Sequence, residues 1–85
     1  MTIHVRIDNM KDAERLSVIC RTFPQEIYLR SDKLCTDPKS TLGILAMMYS
    51  ARDNIYMDTG DMGEEDLNRL MKEIADYIAA DPEKK

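Results

Sequence analysis

The sequence predicts a two-layer α+β domain, an open-faced sandwich in which a four-stranded antiparallel sheet carries three helices on one face. Three observations predict it. Short segments alternate apolar with polar residues, as Ile3, Val5 and Ile7 do with His4, Arg6 and Asp8, which is the period of a strand with one wet face. Between them lie stretches whose apolar residues return at helical spacing. The resulting order is β-α-β-β-α-β-α, and two layers let every strand bury one face and every helix one stripe. A chain of 85 residues with 3 Gly and 3 Pro supports one small core, so residues 1–85 read as a single domain without a deep substrate cavity.

The elements follow in order. Residues 2 to 8 form the first strand. From Lys11 the period changes, and Ala13, Leu16, Ile19, Cys20 and Phe23 trace a helical stripe opposite Asp12, Glu14, Arg15 and Arg21. Asn9 or Asp8 caps this helix and Pro24 stops it. Gln25 to Arg30 is the second strand, with Ile27 and Leu29 pointing one way and Tyr28 and Arg30 the other. Ser31-Asp32-Lys33 is turn material, and Leu34 to Thr36 is a short return strand. The second helix covers Lys39 to Ser50, with Leu42, Leu45 and Met48 as its stripe and Ile44 and Met47 widening the arc. Its start has two solutions: Asp37-Pro38 fits N-cap followed by N1, and Ser40 fits a cap one turn later.

Arg52-Asp53-Asn54 is a polar turn before the fourth strand, Ile55 to Thr59, where Ile55 and Met57 face inward and Tyr56 and Asp58 outward. Gly60 breaks that strand. Asp61 and Glu64 then make a capping box for a helix through Leu67, Leu70, Met71, Ile74 and Ile78, and the charged tail Asp81 to Lys85 is expected to fray. Tyr28 and Tyr56 are expected to approach each other on the wet face as a cross-strand pair.

Composition excludes several function classes. Sixteen acidic against twelve basic residues give a formal charge of -4, which repels phosphate backbones and argues against nucleic-acid binding. No apolar run reaches the length of a membrane span, and the first residues lack a basic-then-apolar signal pattern, so the chain reads as cytoplasmic, with no membrane partner. Cys20 and Cys35 lack the spacing of a metal or redox site and are expected as reduced thiols, Cys20 in the core. His4 is the single histidine, and it lies in a strand on the solvent side. No nucleophile stands near a base, no metal-ligand set occurs and no glycine-rich phosphate loop is present, so neither an enzyme nor a cofactor is expected. The seven methionines read as core filler.

The element order, the stretch Lys39-Ser40-Thr41-Leu42-Gly43-Ile44-Leu45 and the later Gly60-Asp61 to Leu67 to Leu70 pattern together resemble the HPr family, the phosphocarrier proteins of the bacterial sugar phosphotransferase system. The likeness covers nearly the whole chain. It implies a protein that meets phosphotransferase components or transcription regulators through the surface around the second helix, here Leu42, Leu45 and Met48 with Lys39 and Thr41 as the polar rim. It also implies a regulatory phosphorylation at Ser40.

The chain departs from the family at the active site. HPr proteins accept phosphate on the histidine of a Gly-x-His-Ala-Arg-Pro segment between the first strand and first helix. The matching connection here runs Ile7-Asp8-Asn9-Met10-Lys11-Asp12-Ala13, without histidine or proline. Asn9, Met10 and Lys11 therefore form a degenerate active-site loop. An amide is not a nucleophile at neutral pH, and Asp8 and Asp12 place negative charge where phosphate would arrive. The expectation is a non-catalytic regulatory or protein-binding module, monomeric or weakly dimeric. A phosphocarrier with a displaced acceptor and a structural module pairing through its sheet edge are the alternatives.

Overall fold

Alternation at the amino terminus builds β1 (Thr2–Val5), which turns Ile3 and Val5 inward and His4 outward. The computed structural model describes residues 2–51 and 54–79, so the Arg52-Asp53 turn and the tail from Asp81 onward lie outside the described residues. After β1 come α1 (Met10–Arg21), β2 (Tyr28–Arg30), β3 (Cys35–Thr36), α2 (Thr41–Ala51), β4 (Ile55–Asp58), α3 (Glu64–Glu73) and a 3-10 turn over Ala75–Tyr77. The architecture is the expected α+β sandwich.

All pairings between these strands are antiparallel, in the order β1-β4-β2-β3, so the last strand is inserted between the first two. The register assembles two kinds of row. Ile3, Met57, Leu29 and Thr36 pair across the sheet toward the helices, while His4, Tyr56, Arg30 and Cys35 pair across its open face. Phe23, Leu16, Ile27, Leu29, Ile44, Met47, Ile55, Met57, Leu70 and Ile74 form the centre of the core and are fully buried.

The first strand is shorter than the alternation suggests, although Ile7 keeps its place in the core. Pairing with β4 ends at Val5↔Ile55, and the Arg6 N–H instead donates to the Tyr77 carbonyl at 2.7 Å. The segment after the 3-10 turn continues this edge, with Val5 bridged to Ile78 and the Ala79 N–H donating to the His4 carbonyl at 2.9 Å. This corrects the last helix, which does not run through Ile78. Unpaired groups on the outer side of β1 need partners, and extended backbone at Ile78 supplies them where a helix could not. The Asp61–Glu64 capping box is also absent: Gly63 holds the N-cap position without a side-chain bond, and Glu64, Glu65 and Asp66 favour the helix start through the dipole alone. Gly60 breaks β4 as expected, at φ 58, with its N–H bound by the Asp58 carboxylate. That bond, aided by Arg30, holds the Asp58 carboxyl below its ordinary range.

On the open face, Tyr28 and Tyr56 do not pair with each other. Tyr56 stacks on His4 with centroids 4.8 Å apart, and Tyr28 donates to the Glu26 carboxylate beneath the Arg30 guanidinium. The register explains this, because it sets Tyr56 between His4 and Arg30 and leaves Tyr28 opposite Asp58. Arg30 closes the diagonal with an ion pair to Asp58 at 3.1 Å.

Between α1 and α3, the Arg69 guanidinium lies 3.7 Å from the Phe23 ring centroid, pairs with Glu73 at 3.0 Å and donates to the Thr22 carbonyl. Among the described residues no helix is long and apolar enough to cross a membrane.

Gly43 is the contact point of α2 with β3: a side chain there would collide with Thr36 Oγ1 and approach the Asp37 carbonyl at 3.4 Å. A Gly-to-Ala change inside a helix ordinarily gains about 1 kcal/mol, so a loss at this position isolates the clash. Gly43→Ala is expected to cost ~1–2 kcal/mol in urea denaturation, and adding Thr36→Ala should recover most of it, a coupling that independent sites would not show. Equal losses in both backgrounds would place the cause elsewhere.

The two cysteines separate as expected, Cys20 buried and Cys35 exposed. Burial, with the Asp37 carboxylate adding to it, pushes the Cys20 thiol from 9.0 up to about 12. A thiol reagent at neutral pH should label Cys35 in the folded protein and Cys20 only after unfolding. The unfolded chain ionises this thiol above its ordinary value while the folded chain holds the proton, so stability falls as pH rises from 9.0 toward about 12. Cys20→Ala should flatten that part of the stability curve.

Candidate functional site

The connection between β1 and α1 is built from short polar side chains that satisfy one another. Asn9 takes an extended backbone and accepts the Asp12 N–H on Oδ1 at 2.9 Å, so Asn9 is the cap. Asp12 reaches back in turn and accepts the Asp8 N–H at 3.2 Å. Arg6 Nε donates to Asp8 Oδ1 at 3.0 Å, a pair exposed on both sides. The start of α1, where a dipole and free N–H groups attract anions, thus has the chain's own Asp12 carboxylate beside it. Asn9 is committed to the cap, and His4 lies on the opposite face of the sheet against Tyr56.

This connection forms one wall of a surface pocket of about 370 Å³ running from Arg6 to Met10, and the end of α2 forms the other with Met48 and Tyr49. Asn9 and Met10 of the degenerate loop and Met48 of the second helix, which the sequence reading places in separate groups, therefore come together. Lys11 does not join them; it lies along a shallow groove on the outer side of α1 with Glu14, Arg15 and Val18.

From Thr41 to Ala51 the second helix carries no charged residue. Its inward line is Ile44 and Met47, backed by the partly buried Ala51, and not the Leu42, Leu45 and Met48 line that the spacing suggests. Leu45 and Met48 sit half-buried at the flank, while Leu42 is 78% exposed. Tyr49, which sequence reasoning missed, is 74% exposed. Its spacing of seven from Leu42 was the available sign, because residues that far apart share a helix face.

The start of α2 is decided in favour of Ser40. Its Oγ accepts the Gly43 N–H at 3.3 Å and its carbonyl accepts the Ile44 N–H at 3.1 Å. Asp37 forms the preceding turn, its carboxylate accepting the Lys39 N–H at 2.9 Å and its carbonyl the Ser40 N–H at 3.0 Å.

Lys39 is more firmly held than a rim residue need be. Its carbonyl accepts both Ser17 Oγ at 3.0 Å and Arg21 Nε at 3.1 Å, and its Nζ donates to the Gln25 carbonyl at 3.1 Å. Ser17 is a buried polar residue on the inner face of α1 that sequence reasoning also missed. A serine within an apolar stripe was the sign. Thr41 is half-buried, so Lys39, Ser40 and Thr41 group at one end of α2 and Met48 and Tyr49 at the other.

No protein-family model, curated protein or solved structure matches this chain.

The cap assignment is measurable. Ser40→Ala should lower stability by about 1 kcal/mol. Asp37→Ala should cost less, because it removes one turn bond and leaves the helix start capped. Reversed denaturation midpoints would return the cap to Asp37.

Proposed function

We propose that this protein is an HPr-like, non-catalytic module that acts in the cytoplasm by docking on other proteins. The phosphotransferase link comes from the resemblance, and the docking reading from the site. One observation carries it: Leu42 and Tyr49 stand out from a helix without charge, and Tyr49 with Met48 and Met10 lines a pocket shared with the β1–α1 connection. Leaving large apolar side chains in water gains nothing for folding, and apolar side chains exposed on one helix face are a footprint of recognition. Partners by resemblance are phosphotransferase components or transcription regulators.

Two features support the non-catalytic part. A phosphocarrier needs a nucleophile at the mouth of the first helix, and Asn9 there is an amide engaged as a cap. Asp12 accepts the Asp8 N–H beside this helix start, and its charge opposes a second anion there. Ser40 is the proposed regulatory position: it is exposed at a helix start, where a phosphate gains from the dipole and the domain need not unfold.

Incubation with enzyme I and phosphoenolpyruvate is the direct test. No acid-labile phosphate is expected on the chain. Incorporation that disappears in His4→Ala or Asp8→Asn would establish a displaced acceptor and overturn the proposal. For docking, capture of a phosphotransferase component or regulator should be lost in Leu42→Asp and kept in Val18→Asp, since Val18 is also solvent-facing but lies in the groove on the outer side of α1.

A further inference from the structure

Where the chain enters β2 and where it leaves β4 for α3, the surface holds a recess of a different character from the one beside Tyr49. It is lined by the buried Thr59 and Met62, by Tyr28 and by the turn at Gly60. The missing side chain of Gly60 leaves open space as far as the Glu26 carbonyl, 4.0 Å from where a Cβ would stand. The volume is about 370 Å³, within the ~300–1,000 Å³ of sites that hold ligands. Its walls are mostly apolar, yet the charges on them have one sign. Glu26 and Asp61, both exposed, line the recess, and among the described residues no cation does.

The surroundings leave that sign in place. Asp58 precedes the turn, and Glu64, Glu65 and Asp66 follow it in the first turn of α3. Arg30 is held by Asp58 at 3.1 Å, and Lys39 Nζ donates to the Gln25 carbonyl at 3.1 Å, so both cations are engaged elsewhere. A recess with low-dielectric walls and charges of one sign concentrates its field on an ion of the other sign. Hydrogen-bonding capacity is biased the same way. Gln25, also in the lining, donates through Nε2 to Asp66 at 2.6 Å, while its buried Oε1 accepts from none of the described residues. Acceptors are in surplus here, and a ligand that brings donors and positive charge matches them.

The fold already shows how it packs such a group. The Arg69 guanidinium lies over the Phe23 ring, pairs with the Glu73 carboxylate and donates to the Thr22 carbonyl. Tyr28, the Glu26 and Asp61 carboxylates and the Glu26 carbonyl offer the same three kinds of group. Arg30 stays 5.9 Å from the Tyr28 ring centroid and does not line the recess.

We propose that this recess binds an arginine side chain of a partner protein, its guanidinium at the Glu26 and Asp61 carboxylates and its stem against Tyr28 and Met62. Arginine fits better than lysine, because a planar fork reaches two carboxylates and stacks on a ring, while the methylene stem covers apolar wall. The site is separate from the α2 surface and does not depend on it. One hydroxyl competes with the ligand: Tyr28 donates to the Glu26 carboxylate.

The test is a titration of the intact, nitrogen-15-labelled chain with the blocked peptide Ala-Leu-Arg-Leu-Ala, followed by amide shifts. Saturable shifts centred on Glu26, Gly60, Asp61 and Met62 are expected, with a Kd on the order of 1 mM, weakened by added salt. The same peptide with citrulline for arginine, equal in shape and uncharged, should bind far less. Glu26→Gln with Asp61→Asn should weaken binding about fivefold, and Glu14→Gln, in the groove outside α1, should leave it as in the parent. Tyr28→Ala should weaken it through loss of the ring. Tyr28→Phe keeps the ring and frees the Glu26 carboxylate, so it should tighten binding. Equal shifts with the citrulline peptide, shifts centred elsewhere, a double carboxylate variant that binds as the parent does, or a Tyr28→Phe chain as weak as Tyr28→Ala overturns the proposal. Leu42→Asp should not change this titration, so failure of the α2 reading and failure of this one are distinct.

Discussion

The rotational setting of α2 is the constraint on which the rest of this molecule depends. A helix without charge has no polar side to turn toward water, so its own sequence leaves the choice of inward face nearly open. Contacts at its beginning make the choice. Gly43 sits where any side chain would strike Thr36, which draws this side of the helix onto β3. One residue before the cap, the Lys39 carbonyl is bound by Ser17 and Arg21 of α1, and the Lys39 ammonium by the Gln25 carbonyl. With the start held from two directions, Ile44 and Met47 must enter the core and Leu42 and Tyr49 must face solvent. The apolar surface proposed for docking is therefore a consequence of how the helix is seated.

The same economy of polar groups explains why the opening of α1 is a poor place for phosphoryl chemistry. Helix starts attract anions because several N–H groups lack partners and the dipole adds to their field. Here Asn9 takes the Asp12 N–H, Asp12 takes the Asp8 N–H, and Arg6 is drawn to Asp8. Each contact is modest and exposed, and the ion pair contributes little to stability. Together they set the carboxylates of Asp8 and Asp12 where an incoming dianion would meet like charge. Stability at this end comes from local closure, and closure of that kind conflicts with an acceptor site.

How much of this could be read from the chain alone varies with the physics involved. Strand faces were legible, because a period of two admits only two choices and Ile3, Val5, Ile7, Ile27, Leu29, Ile55 and Met57 all chose the core. The first helix was legible for a similar reason, since Asp12, Glu14, Arg15 and Arg21 lie mostly opposite Ala13, Leu16 and Cys20. In α2 the spacing offers Leu42, Leu45 and Met48 as the stripe with Ile44 and Met47 only widening it, and tertiary contacts turned Ile44 and Met47 inward instead. The end of α3 failed differently: Ile74 and Ile78 fit a helical period, yet Ile78 was recruited to the edge of β1 by backbone groups that no pattern of side chains announces. The pairing of Tyr56 with His4 instead of Tyr28 depended on β4 entering between β1 and β2, a fact of topology. At the candidate site, Asn9, Met10 and Met48 were within reach of sequence reasoning, while Tyr49 and Ser17 became visible once the helix was oriented.

The sheet itself offers little to a partner through its edges, which sharpens the case for the helix. An exposed edge strand recruits other strands through its unpaired N–H and C=O groups. On the β1 side those groups are already taken: the Tyr77 carbonyl and the Ala79 N–H bind Arg6 and His4, and Ile78 bridges Val5. On the other side β3 is two residues long, too short to template a ladder, and it is followed at once by the turn that Asp37 closes. Strand addition would first have to displace one of these arrangements. Docking on α2 displaces nothing, since Leu42, Ala46 and Tyr49 already stand in water. In a domain of this size, whose stability is a small difference between large terms, an interaction that leaves every internal hydrogen bond in place is favoured over one that must break some first.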